Sequence, residues 1–121
     1  MYKIITFAKR KPGMTLEEYK RYWHDVHGQM VLNTVPPDVK ALIKQYTQCA
    51  AADIPGHPQP YDGVAEFCFE SYEALRAWSR FYFSDAAKAL RDDQAKFGDM
   101  DSMVTVITEE NVIIGQAKFQ A

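Results

Sequence analysis

The chain has few of the features that announce the common catalytic and binding chemistries. Its only cysteines are Cys49 and Cys68, too few for a disulfide framework and wrongly spaced for a zinc site. They read as reduced thiols, with Cys68 a small buried hydrophobe. Apolar runs stop after a few residues, far short of the ~20 that a transmembrane helix needs. The segment Met1–Thr6 enters a strand-like pattern at once, without the basic stretch, apolar stretch and cleavage site of a secretory signal. No glycine-rich phosphate loop, serine-nucleophile elbow or dinucleotide fingerprint is present. A net charge of −2 gives no electrostatic reason to bind nucleic acid or an anionic membrane. The expectation is a cytoplasmic protein whose partners include neither.

What is present is an ordinary globular balance: 121 residues, 47% apolar and 25% charged, which predicts one domain over 1–121 with its own core. Residues 2–9 read as a strand rich in β-formers. Pro12-Gly13 marks a turn, and Thr15 with Glu18 makes a capping box for a helix running to about Gly28 and on towards Asn33. Its apolar stripe is Leu16, Tyr19, Trp23, Val26 and Met30, spaced 3, 4, 3 and 4. After Pro36-Pro37 the pattern predicts strands over 39–48 and 62–70, joined by a loop across 50–60. Ser71 caps a second helix with Tyr72, Leu75, Trp78 and Tyr82 on one face. Ser84-Asp85 opens a further helical stretch to Phe97, and 103–108 is the last strand. The order β-α-β-β-α-β is the split βαβ arrangement of a ferredoxin-like α+β fold with a four-stranded antiparallel sheet. Helices then cover one sheet face. The other, expected to carry Phe67, Phe69 and Ile107, is left to pair with a second copy as a homodimer.

The candidate chemistry centres on His24 and His27, which lie three residues apart near the end of the first helix. Histidine titrates near neutral pH, so His27, aimed at the sheet, is the candidate acid/base. His24 reads as a solvated helix residue. The His-x-x-His spacing is less favourable to a metal than an i, i+4 pair, and no third ligand lies nearby, so no metal is expected. Tyr22, Tyr46 and Tyr61 offer hydroxyls that orient a carbonyl or phenol. Asp62 and Glu66 share one strand face, and a buried Glu66 would need a partner. Trp23, Phe67 and Trp78 are candidate apolar walls.

The run Lys11-Pro12-Gly13-Met14-Thr15-Leu16-Glu17-Glu18-Tyr19, followed by Trp23 and His27-Gly28, resembles the EthD family of the dimeric α+β barrel superfamily. The order of elements agrees over nearly the whole chain. The resemblance implies subunits that dimerise through their sheets, with a pocket between sheet and helices that works without metal or organic cofactor. Relatives so implied include cyclases and dehydratases of aromatic polyketide metabolism, a methylmuconolactone isomerase, and proteins linked to ether degradation. His27 falls on the family's histidine. The lactone isomerase has a cysteine directly after a strand glutamate. Here Phe67 follows Glu66 and Cys68 comes one later, which turns the thiol to the opposite sheet face.

Together these readings predict a cofactor-free enzyme of the lyase or isomerase type. It would cyclise, dehydrate or isomerise a hydrophobic, oxygenated ring or polyketide-like substrate by proton transfer. His27, Tyr46 and Tyr61 are the expected catalytic residues. Tyr22, Trp23, Glu66, Phe67 and Trp78 are the expected substrate contacts, with loop 50–60 over the mouth. The alternatives are a non-catalytic dimer, binding small ligands or serving as a stress or accessory protein, and a monooxygenase on the same fold.

Overall fold

A computed structural model describes residues 1–116; residues 117–121 of the expected 1–121 domain lie outside them. The chain opens with β1 (Tyr2–Ala8). At the head of α1 (Leu16–Tyr22) the Glu18 amide donates to Thr15 Oγ1, and the Thr15 amide donates to the Glu18 carboxylate, both at 3.1 Å. The carboxylate of Glu18 is held below its ordinary pKa by the Thr15 backbone and side chain. The helix then widens into one π turn, Trp23–His27, before continuing as α2 (Gly28–Thr34).

That π turn changes which side chains face inward. The buried residues are Tyr19, Trp23, His27, Val31 and Val35, each four after the last. In a straight α-helix every step of four overshoots one full turn by about 40°. Closing a hydrogen bond from the Gly28 amide to the Trp23 carbonyl, five residues back, absorbs part of this drift. His27 is buried on this inward line, whereas Val26, predicted to lie on the stripe, is left 41% exposed.

The segment predicted as a strand over 39–48 begins instead as helix. Pro37 occupies the first turn of α3 (Pro37–Lys40), where its fixed φ favours helix and its missing amide costs nothing. The Leu42 and Ile43 amides close turns onto Val39 and Lys40. Pairing therefore starts only at β2 (Gln45–Ala50). β3 (Gly63–Phe69), α4 (Tyr72–Tyr82), α5 (Lys88–Phe97) and β4 (Val104–Glu109) follow, close to their expected places. The sheet is antiparallel in the order β2-β3-β1-β4. This is the expected ferredoxin-like α+β arrangement, with helices on one face.

Register decides which residues share that face. Tyr2 pairs with Phe69, and Ile4 lies between Phe67 and Ile107, so these side chains point the same way. Phe69 is fully buried among Val31, Val35, Leu75, Trp78 and Leu90, and full burial of each such side chain is worth about 1.5–3 kcal/mol. Phe67, Phe69 and Ile107 thus face the helices, contrary to the expectation that they form the uncovered face. A one-residue change of parity exchanges the two faces of a whole strand. The uncovered face carries Ile5, Phe7, Val64, Val104 and Val106, beside an ion cluster of Lys3 with Glu66 and Glu110 at 3.4 Å each. No helix among the described residues is long and apolar enough to cross a membrane.

Gly63 makes the close seat of α1 on the sheet possible. A Cβ there would lie 2.5 Å from Tyr19 Oη and 2.7 Å from the Trp23 ring, and both side chains are buried. Gly63→Ala is expected to lower the unfolding free energy by about 1–3 kcal/mol, read from urea denaturation midpoints.

Candidate active site

Between the sheet and the helices lies a cavity of about 390 Å³. Its floor carries a stack of rings: Tyr46 lies on Phe67 at 4.4 Å and 11°, and Phe67 on Trp78 at 4.9 Å and 25°. Such offset faces suit a planar apolar body. Trp23 and His27 line the cavity from the first helix, and Leu90, Arg91 and Gln94 line it from α5.

His27 is 7% exposed, and its Nδ1 sits 2.9 Å from Oδ2 of Asp93, which is 2% exposed. An ionised carboxylate only accepts, so Nδ1 carries the hydrogen of this bond. The Tyr22 hydroxyl donates to the other carboxylate oxygen at 2.5 Å. That bond, with a smaller contribution from burial, raises the Tyr22 pKa to about 12. Lys96 approaches the same oxygen at 3.9 Å. Phe97 packs on the His27 ring with centroids 5.1 Å apart. No side-chain nitrogen or oxygen among the described residues is buried without a partner. His27 Nε2 forms no protein hydrogen bond there, so it is open to the cavity that His27 lines.

A second polar link fixes Tyr46. Gln48 Nε2 donates to the Trp23 carbonyl at 3.0 Å and to Tyr46 Oη at 2.9 Å. The hydroxyl therefore accepts from Gln48 and keeps its own hydrogen for a further acceptor. Burial raises the Tyr46 pKa, while the hydrogen bonds from Gln48 and Trp23 pull it down. The carbonyl Gln48 holds is the one that closes the π turn, so strand β2 and the His27 turn are tied together. Gly28 leaves room for this amide: a Cβ there would lie 3.3 Å from Gln48 Nε2.

Of the expected site residues, His27, Tyr46, Trp23, Phe67 and Trp78 meet at the cavity. Tyr22 does not line it; it acts from behind, through Asp93. Tyr61 packs instead on Phe7, at 5.5 Å, under the Lys9 ammonium. The pairing of Phe7 with Val64 turns that contact towards the uncovered face. Glu66 is also on that face, ion-paired with Lys3 and opposite Thr47 in the sheet register. Both are corrections to the expected site: Glu66 is turned away by strand parity, and Tyr61 precedes β3 and follows Phe7 to the uncovered face. Loop 50–60 contributes no residue to the cavity wall, contrary to its expected place over the mouth. His24 is exposed and bonds only its neighbour Asp25, and His57 lies in an exposed loop. Among the described residues no group of three or more metal-ligating side chains is gathered.

Asp93 and Gln48 were not singled out from the sequence. The signal for Asp93 was available: it stands three after Leu90 and four before Phe97, a carboxylate on the apolar stripe of its helix. Gln48 is a long amide on the same strand face as Tyr46, two residues away.

The match to the EthD domain covers residues 11–101. No match was found among curated proteins. An EthD family protein from Bacillus halodurans C-125 superposes with a TM-score of 0.65 at 17% identity, over 92% of this chain and 99% of that one. A dimeric protein of ferredoxin-like fold from Bacteroides fragilis NCTC 9343 does so at 0.60 and 14%, over 90% and 95%. A hydroxynitrile lyase from Passiflora edulis does so at 0.61 and 11%, over 94% and 96%. At these identities the likeness is one of fold.

The raised Tyr22 pKa has a signed consequence. Tyrosine in the unfolded chain ionises near pH ~10, whereas native Tyr22 holds its proton to about pH 12. Its contribution to stability is complete below the lower value and is lost as pH rises through the upper one. Tyr22→Phe is expected to flatten part of the alkaline decline. Buried Tyr46 and Tyr82, also raised, keep the remainder. Urea midpoints collected across that pH range measure the difference.

Proposed function

We propose a function for this chain from the premise that it belongs to the EthD domain family: a proton-transfer enzyme of the lyase or isomerase type, acting on a hydrophobic ring bearing oxygen. The single observation that carries this reading is the buried His27–Asp93 bond at the wall of an apolar cavity. A histidine whose Nδ1–H is held by a carboxylate presents Nε2 as a base in one tautomer and one orientation.

In this reading the ring lies on the Tyr46–Phe67–Trp78 stack. His27 Nε2 takes a proton from a carbon next to a carbonyl, and the C–H electron pair moves into the enolate. Asp93 stabilises the imidazolium that forms. The Tyr46 hydroxyl donates to the oxygen that gains charge. Return of the proton to another carbon completes an isomerisation, and its delivery to a departing hydroxyl completes a dehydration. The apolar walls keep water from competing and strengthen each of these contacts. The Passiflora edulis hydroxynitrile lyase has this fold, which supports an enzymatic role of some kind.

The test is hydrogen–deuterium exchange into 2-tetralone, an enolisable bicyclic ketone, followed by NMR in D2O. The protein is expected to accelerate exchange beside the carbonyl. His27→Gln and Asp93→Asn are expected to lose about 10²–10⁴-fold of that acceleration while still binding the ketone. Binding with no acceleration by the wild-type protein would favour the non-catalytic ligand-binding dimer.

The same reading has two copies pairing through the uncovered sheet faces. Val104 and Val106 are 44% and 43% exposed in the first half of β4, and the Bacteroides fragilis protein is described as dimeric. Val106→Glu is expected to shift the sedimentation coefficient from that of a dimer to that of a monomer. An unchanged coefficient would place the interface elsewhere.

A further inference from the structure

The one arginine on the cavity wall is held in an unusual way. Arg91 Nη1 donates to the Tyr82 carbonyl at 2.5 Å and to the Ser84 carbonyl at 2.7 Å. These bonds secure the end of α4 and spend both hydrogens of that nitrogen. What remains is the Nε–Nη2 edge, the fork that fits a carboxylate with two parallel hydrogen bonds. Among the described residues this edge makes no hydrogen bond, and Arg91 has no ion-pair partner. Because no buried side-chain nitrogen there lacks a partner, the edge is open rather than sealed in the protein. Arg91 is half-buried and lines the same cavity as His27.

One turn further along α5, Gln94 adds a second donor. Its Oε1 accepts from the Tyr82 hydroxyl at 2.5 Å, while its Nε2 meets only the Met103 sulfur at 3.8 Å, a weak acceptor. Residues three apart share a helix face, and both side chains line the cavity from α5. A partly desolvated guanidinium with no carboxylate in contact is a cost to the empty protein that an anionic ligand reduces.

We infer that the cavity selects ring acids: Arg91 receives the substrate's carboxylate on its Nε–Nη2 edge, with Gln94 Nε2 donating beside it. This assignment rests on the reading of the cavity as a substrate site and narrows its substrate to anionic rings. Arg91 in this role binds and orients; the proton still moves at His27.

The experiment compares 2-naphthoate with its neutral analogue 2-naphthamide, using quenching of Trp23 and Trp78, the only tryptophans. The wild-type protein is expected to bind naphthoate at least about tenfold more tightly, as for a hydrogen bond between charged groups. Arg91→Gln is expected to abolish that preference, and Arg91→Lys to keep only part of it. His27→Gln is expected to keep it entire. Equal affinity of the wild-type protein for the two compounds overturns the inference while leaving the cavity reading in place. That comparison stands even if Arg91→Gln does not fold. A preference that survives in folded Arg91→Gln also overturns it. If neither compound binds, the cavity reading fails and the inference fails with it.

Discussion

The rest of the site depends on where the Asp93 carboxylate is buried. A charge 2% exposed is tolerable only if its oxygens are filled, and here each has its own donor, Tyr22 on one and His27 on the other. Removing one partner of such a buried pair typically costs about 3–5 kcal/mol. The three residues therefore clasp the first helix to α5. Tyr22 immediately precedes the π turn and His27 ends it, and both must reach one carboxylate. In a regular helix His27 would be turned about 40° from Trp23, and the wider turn brings it closer to the line of Tyr19 and Trp23. The wider turn is thus tied to the chemistry as well as to packing.

The cavity has two characters. Its floor is a stack of aromatic rings supplied by alternate residues of neighbouring strands and by α4. Its polar groups come as positioned units, each held from behind: His27 by Asp93, Tyr46 by Gln48, and Arg91 by two backbone carbonyls. In each case the supporting bond uses one part of the group and leaves another free. This arrangement keeps polar atoms satisfied in an apolar setting and still presents Nε2, a hydroxyl hydrogen and a guanidinium edge. Such preorganisation lowers the cost of meeting charge as it develops.

Much of the fold was legible in the linear pattern. Thr15 with Glu18 and Ser71 marked two helix starts that the structure retains. The element order also predicted the antiparallel sheet. The errors were of two kinds. Pro36-Pro37 reads locally as a breaker, yet Pro37 is well suited to a first helical turn, so β2 starts late. The assignment of Phe67 and Phe69 to the uncovered face failed because alternation gives two faces without saying which one meets the helices. Glu66 was lost from the site for that same reason, whereas Tyr61 precedes β3 and packs on Phe7.

By itself, the sequence determined most of the elements, their order, the family motif around His27 and the aromatic character of the cavity. Each depends on residues near one another in the chain, through capping, periodicity and turn chemistry. Only the tertiary structure decided the partner of His27, the donor to Tyr46 and the free edge of Arg91. Asp93 lies 66 residues from His27, and the contact exists only because α5 is folded back along the first helix. Face and register are set by packing across such distances. A side chain's chemical role follows from which of its atoms that packing leaves unspent.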